Sequence, residues 1–225
     1  MANQTHTKEF FELIRNIGET KSKQEEDKII IKEIATLKQH FQNDKSTLKV
    51  MKEYMVRALY CEMLGHEASF SYFQATKLTS SKSVLEKRVG YLSITLCVPK
   101  DHELVLLLIA NLQNDLLSTN YLIVCAALTA ASKLVNEETI PALLPSVLQL
   151  RKHKNPIVRK KIIALLHTFY LIQKDSIPSL MEYAKEALCD QDPSVMGVSM
   201  CLFHDLCKDE RNLPELKASR TNHSS

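Results

Sequence analysis

Glycine is scarce in this sequence, with four residues among 225, and tryptophan is missing altogether. Sheets joined by tight turns draw on residues with positive φ, which glycine supplies at least cost. So little of it points to helices joined by short turns. The same scarcity excludes glycine-dependent chemistry, since neither G-x-x-x-x-G-K-[ST] nor G-x-G-x-x-G occurs. The six cysteines contain no C-x-x-C pair, and most sit in apolar helical runs, as buried thiols of a cytosolic protein do. Residues 1–10 carry no apolar segment of the signal-peptide kind. The longest apolar run, Leu104 to Ala110, is far short of the roughly 20 residues a membrane span requires. The expectation is a cytosolic or nuclear protein that meets membranes only from outside. A net charge of +3 leaves any electrostatic function to local patches.

What is present is helical periodicity. Val158, Ile162, Leu165, Phe169 and Ile172 step by four and three, as do Leu85, Val89, Leu92 and Leu96, and Ile123, Ala127, Ala130 and Leu134. Each set predicts one apolar stripe on a helix. Ser22-x-x-Glu25 and Ser83-x-x-Glu86 read as capping boxes, and Asp101 as an N-cap. Asn155-Pro156 and Asp192-Pro193 place an acceptor at the cap and proline at the first helical position. About eleven helices follow: 8–18, 22–42, 46–64, 67–79, 83–97, 101–116, 119–134, 138–150, 155–173, 177–188 and 193–208.

The starts at Asn155 and Asp192 superpose on each other and on Asn120, with a weaker copy at Lys82; the offsets are 38, 35 and 37 residues. Asp/Asn-Pro-x-Val opening the second helix of a two-helix unit resembles the HEAT repeat. Such units cannot bury their apolar faces singly, and stacking them makes a curved rod. The expected fold is therefore all-α, an α-solenoid of HEAT/armadillo-like hairpins. Residues 1–7 read as a disordered N-terminus, 8–212 as the solenoid, and 213–225 as a disordered tail. No capping helix follows residue 208, so Val195, Val198, Leu202 and Leu206 are expected to stand uncovered, making the chain marginally soluble.

Catalytic constellations are lacking. Cys201, His204 and Cys207 share one helix but not one face, and His204-Asp205 has no partner ligands for an HD metal site. Glu25-Glu26-Asp27 and Glu137-Glu138 are acids at helix starts, where the macrodipole favours them. Ser, His and Asp lack a nucleophile-elbow context. No enzyme activity and no cofactor or metal is expected. Six basic residues and no acid lie between 151 and 161: Arg151, Lys152, Lys154, Arg159, Lys160 and Lys161. They form either a solvated inter-repeat turn or a contact for an anionic membrane, where about 1 kcal/mol per basic residue is available. Lys45, Lys49, Lys52 and Arg57 make a second basic face open to the same two readings. Nucleic acid is not an expected partner, because no aromatic interleaves the basic residues.

Residues 48–70, with a Leu64-Gly65 turn before a helix carrying Phe70, resemble the N-terminal trunk of large adaptins, and Glu86-Lys-Arg-Val-Gly-Tyr-Leu92 is similar to a run of that family. Residues 102–109, 114–120 and 187–197 resemble most its epsilon branch, the large subunits of adaptor complex 4. Two departures favour that branch. Gly18 stands where relatives that bind acidic dileucine signals carry arginine, and Met51-Lys52-Glu53 replaces a dense lysine cluster.

The resemblance implies part of a coat subunit, the first third or so of a trunk. Such a trunk assembles with small (sigma), medium (mu) and beta-type adaptor subunits and works on the cytoplasmic face of the trans-Golgi network, sorting cargo toward endosomes or vacuoles. It implies recruitment by an Arf-type small GTPase, matched here to Phe73, Thr76 and Leu107. Phe73 either stands at the solenoid edge or packs against Leu92. The first helix, apolar over more than one face at Phe10, Phe11, Leu13, Ile14 and Ile17, is the expected small-subunit contact, with deeper burial within the solenoid as the other reading. A generic HEAT scaffold of the importin or phosphatase-regulatory sort is the competing class.

Overall fold

The computed structural model describes residues 2–42, 46–100 and 102–209, the side chains of 2–7 excepted. Eleven α-helices and no strand occur among the described residues. In chain order they are α1 (Ala2–Gly18), α2 (Lys23–Gln42), α3 (Leu48–Met63), α4 (Tyr72–Thr79), α5 (Val84–Cys97), α6 (Glu103–Leu116), α7 (Tyr121–Leu134), α8 (Ile140–Gln149), α9 (Pro156–Ile172), α10 (Leu180–Leu188) and α11 (Pro193–Lys208). Single 3-10 turns at Ser69–Ser71 and Leu150–Lys152 lead into α4 and out of α8. The order and number match the periodicity. The difference lies at the start, where the backbone is helical from Ala2, inside the stretch read as disordered. Residues 2–7 carry no apolar stripe for periodicity to detect, yet no glycine or proline to stop a helix. Lys45, Asp101 and the expected tail at 213–225 lie outside the described residues.

The chain forms two compact units, Met1–Asn111 and Leu112–Ser225, dividing within α6. In the first, α2 pairs with α3 and α4 with α5, α5 also stacks on α3, and α1 lies against α2 and α3. In the second, α7, α9 and α11 stack in succession, and α10 pairs with α11. Second helices stacking on one another, each flanked by its hairpin partner, are α-solenoid packing.

The repeat starts in the second unit share one cap geometry. Asn120, Asn155 and Asp192 each accept from the backbone N–H two residues on, at 3.0, 2.9 and 2.8 Å. The predicted α9 stripe is its core face: Val158, Ile162, Leu165 and Phe169 are all fully buried. In α11 the matching positions, 37 residues on, are Val195, Ser199, Leu202 and Leu206, and these are buried too. The expectation of an uncovered stripe at Val195, Leu202 and Leu206 is thus corrected. They pack on their own hairpin and on α9. The open face of α11 is the neighbouring one, where Met200, 63% exposed, stands at the position of buried Ile163.

In the first unit α3 ends on the Leu64-Gly65 turn. Gly65 takes φ 91°, Gly65 N–H bonds Glu62 O at 2.9 Å and His66 N–H bonds Cys61 O at 3.1 Å. This pair of bonds is a Schellman motif, and it requires a left-handed residue at Gly65. Of the two capping boxes, Ser22 does accept from Glu25 N–H at 3.3 Å. Ser83 makes no such bond, and Glu86 instead accepts from the Ser81 hydroxyl.

The α5 stripe is a second correction. Leu85, Leu92 and Leu96 are 62%, 49% and 51% exposed. The buried face holds Lys87, Gly90, Tyr91, Ser93 and Ile94. The reason is close approach of backbone: a Cβ on Gly90 would lie 2.8 Å from Ala75 O and 2.9 Å from Thr79 N. Lys87 Nζ donates to Thr79 O at 2.6 Å, placing a cation on the last carbonyl of α4. Gly90 and Lys87 make the closest approaches to α4, Tyr91 and Ile94 supply the bulk of the buried face, and the leucine stripe points to solvent.

Candidate interaction surfaces

The first surface is on α1. Leu13 and Ile17 are buried in a cluster with Ile30 and Cys61, and Phe10 packs partly into it, edge-on to Tyr60 at 5.6 Å. Phe11 and Ile14 face outward at 64% and 37% exposure. The five residues read as one contact therefore divide: Leu13 and Ile17 are core, and the outward apolar pair is Phe11 and Ile14. Desolvation inside the cluster pushes the Cys61 thiol up to about 12, the signature of an inert buried thiol.

Phe73 and Leu107 are both exposed, at 56% and 63%. The Phe73 ring carries Lys77 Nζ 5.3 Å from its centroid. Thr76 is half-buried and turns its hydroxyl back to Phe73 O at 2.7 Å. Leu92, the residue Phe73 was to pack against, is half-exposed itself.

The basic face on α3 is much reduced. Arg57 is buried, donating from Nε to Glu33 at 2.6 Å and from Nη1 to Glu9 at 2.6 Å. It ties α1 and α2 to α3 and is removed from any surface contact. Lys52 lies 2.9 Å from Glu53. Lys49 stays exposed. The acids that claim Arg57 come from other helices, so spacing along α3 could not reveal them.

The run from 151 to 161 divides in the same way. Arg159 grips Asp190 through two bonds, at 2.7 and 2.8 Å, and donates to the His153 and Lys154 carbonyls at 2.9 and 3.1 Å. Those bonds hold the Asp190 carboxyl below the usual carboxylate range and raise Arg159. Lys161 donates to Thr129 Oγ1 at 2.6 Å. Arg151 lies over the Tyr183 ring at 4.1 Å and beside Glu186 at 3.3 Å, with Lys152 3.6 Å from the same carboxylate. Lys154 and Lys160 are exposed.

Cys201 and His204 are exposed and Cys207 is half-buried. No group of three His, Cys, Asp or Glu able to hold a metal occurs among the described residues. None of the described helices is long and apolar enough to cross a membrane.

Comparison with known proteins gives the family. The chain is 46% identical over 206 residues to the AP-4 complex subunit epsilon of Arabidopsis thaliana, covering 92% of this chain and 22% of that protein. To the AP-4 complex subunit epsilon of Dictyostelium discoideum it is 42% identical over 210 residues, covering 92% of this chain and 19% of the relative. The chain thus spans about a fifth of the length of these curated relatives. In structure it is similar to a chain of a homology model of the full-length AP-3 complex in an intermediate open conformation, with a TM-score of 0.63 and 22% identity over 76% of this chain and 30% of the other. That likeness concerns the fold. The sequence model described as the adaptin N terminal region matches residues 26–223, most of the chain, and the chain accordingly belongs to the adaptin family.

Proposed function

We propose that this chain serves as trunk sequence of a large subunit in a heterotetrameric vesicle-coat adaptor complex. It acts as a scaffold in cargo sorting at the cytoplasmic face of the trans-Golgi network, toward endosomes or vacuoles, and works through surfaces, not through catalysis. Its partners are the small, medium and beta-type subunits, an Arf-type small GTPase in its GTP form, and an anionic membrane touched from outside. The similarity to epsilon subunits in two distant organisms supports the complex. The observation that carries the reading in this chain is the division of α1: its core residues are satisfied, yet Phe11 and Ile14 present apolar area outward.

Each partner has a surface of suitable chemistry. The small subunit takes Phe11 and Ile14. The GTPase docks through the exposed Phe73 and Leu107, aromatic and aliphatic anchors of the kind that dominate interfaces. For the membrane, Lys49 in the first unit and, separately, Lys152, Lys154 and Lys160 in the second are exposed, whereas Arg57 and Arg159 are engaged within the fold. The test is co-expression with a sigma-type subunit and affinity capture. Wild type should retain the small subunit, and Phe11→Ser with Ile14→Ser should lose it while helicity is unchanged. Capture at wild-type strength by a folded double variant would refute this use of α1.

A further inference from the structure

A cleft of about 350 Å³ opens in the second unit, where the end of α8, the start of α9 and the end of α10 meet. Its charged lining is Arg151, Lys152, Arg159, Glu186 and Asp190, with Tyr183 beside them. Arg159 and Asp190 satisfy each other and are structural. The remaining charges do not balance: two cations, Arg151 and Lys152, face the single carboxylate of Glu186. Neither pairing is tight. Arg151 Nε is buried without a hydrogen-bond partner among the described residues, although Glu186 Oε2 lies 3.3 Å away, out of line for a bond. The Lys152 and Glu186 side chains are 76% and 48% exposed, so their contact is easily exchanged.

The guanidinium is nonetheless fixed in place. Its Cζ lies over the Tyr183 ring, 4.1 Å from the centroid, and its side chain is only 27% exposed. A planar fork held on an aromatic face, with donors not yet used, is suited to bind a carboxylate through two parallel bonds. We propose that this cleft is a docking site for an acidic peptide segment of a partner protein. One carboxylate takes the Arg151 fork in place of Glu186, and a neighbouring one pairs with Lys152. A membrane surface fits less well. The Arg151 side chain is largely buried in a cleft whose lining also holds Glu186 and Asp190, so a headgroup layer would bring its phosphates against two carboxylates to reach it. A single chain enters without doing so.

The test uses the whole chain and fluorescein-labelled Gly-Glu-Asp-Glu-Asp-Gly, with Gly-Gln-Asn-Gln-Asn-Gly as its uncharged counterpart, read by anisotropy. The acidic peptide should bind and the amide peptide should not, and affinity should fall as salt rises. Arg151→Gln and Lys152→Gln should each weaken binding, by about tenfold for the arginine. Glu186→Gln should strengthen it, because the internal competitor is gone. Lys133→Gln, an exposed residue of α7 outside the cleft, should leave it unchanged. Thermal melts accompany each variant, and if Arg151→Gln unfolds the chain, the exposed Lys152 and Glu186 variants decide. Equal binding of the two peptides, or affinity insensitive to both Lys152→Gln and Glu186→Gln, would overturn the proposal. So would binding to phosphatidylserine vesicles that depends on Arg151 while the acidic peptide fails to bind.

Discussion

The two units of this chain solve one packing problem with different materials. In the second, α7 and α9 meet their neighbours through Val, Ile, Leu, Phe and Ala, and the residues that share a stripe in sequence share a buried face. In the first, α5 approaches the α4 backbone at Gly90 and Lys87, and a buried arginine joins three helices. Apolar periodicity reports which face is buried only where burial is mediated by apolar side chains. Where backbones approach closely, the residue at the crossing must be small, and in α5 the leucine stripe lies outside. In an interaction scaffold that inversion has a use, since it leaves Leu85, Leu92 and Leu96 available at the surface of the first unit.

The widest separation between the units should come from truncating one member of each stripe. Phe169 is fully buried, and Phe169→Ala should cost about 3–5 kcal/mol through lost burial and a cavity. Leu92 occupies the same kind of position by sequence but is 49% exposed, so Leu92→Ala should stay within about 0.5 kcal/mol of wild type. Urea midpoints followed by circular dichroism give both numbers. A large loss at Leu92 would restore the α5 stripe to the core and erase the contrast.

Arg57→Met should be nearly as damaging, at about 3 kcal/mol, because it strands Glu33, whose side chain is only 12% exposed. Glu9 is 43% exposed and can turn to water. Glu33→Gln in the same background should therefore recover part of the loss, whereas Glu9→Gln should recover little. Equal rescue by both would mean that the two acids are equally buried in solution.

Gly90→Ala tests the close approach directly. The added methyl meets the α4 backbone at 2.8 and 2.9 Å, and backbone cannot rotate away as a side chain would. Overpacking of this kind costs about 1–3 kcal/mol. A neutral result would show that α4 and α5 can separate freely.

These contrasts also explain what could be read from sequence alone. Helix number, order and most boundaries were legible, because caps such as Asn155-Pro156 and Asp192-Pro193 act locally. The face of α9 was legible for the reason given above. The face of α5 was not, since nothing along the chain announces that Ala75 O will lie against Gly90. Site residues follow the same rule. That Phe11, Ile14, Phe73 and Leu107 are apolar is plain in sequence, but their exposure is a tertiary fact. Arg57 and Arg159 looked like surface charge because Glu9, Glu33 and Asp190 come from elements distant in sequence.

A smaller effect follows from pH. Hydrogen bonds from Arg159 hold the Asp190 carboxyl below its ordinary range of about 3.9. A depressed carboxylate adds stability at pH values above its unfolded pKa, and that contribution is lost as pH falls through the folded value. The gap in stability between wild type and Arg159→Gln should therefore be constant from pH 5 to 7 and should narrow below about pH 4. A gap that does not change with pH would mean that Arg159 acts through the His153 and Lys154 carbonyls and not through Asp190.

The smallest effect should have the opposite sign. Gly197 lies in the exposed interior of α11, and a Cβ built there meets nothing within 4 Å. Its φ is not in the left-handed range, so alanine fits the backbone without strain. Gly197→Ala should then stabilise by about 0.5–1 kcal/mol, chiefly by restricting the unfolded chain. Set beside Gly90→Ala, it makes the same chemical change at a second helical glycine with the opposite expected outcome, and the only structural difference is a neighbouring helix at contact distance. Urea midpoints for the two variants decide it. Stabilisation at both positions would remove the close approach at α5. Destabilisation at both would mean that the α11 face carrying Gly197 is covered in solution, and dilution tests whether a second molecule covers it, because that effect depends on protein concentration.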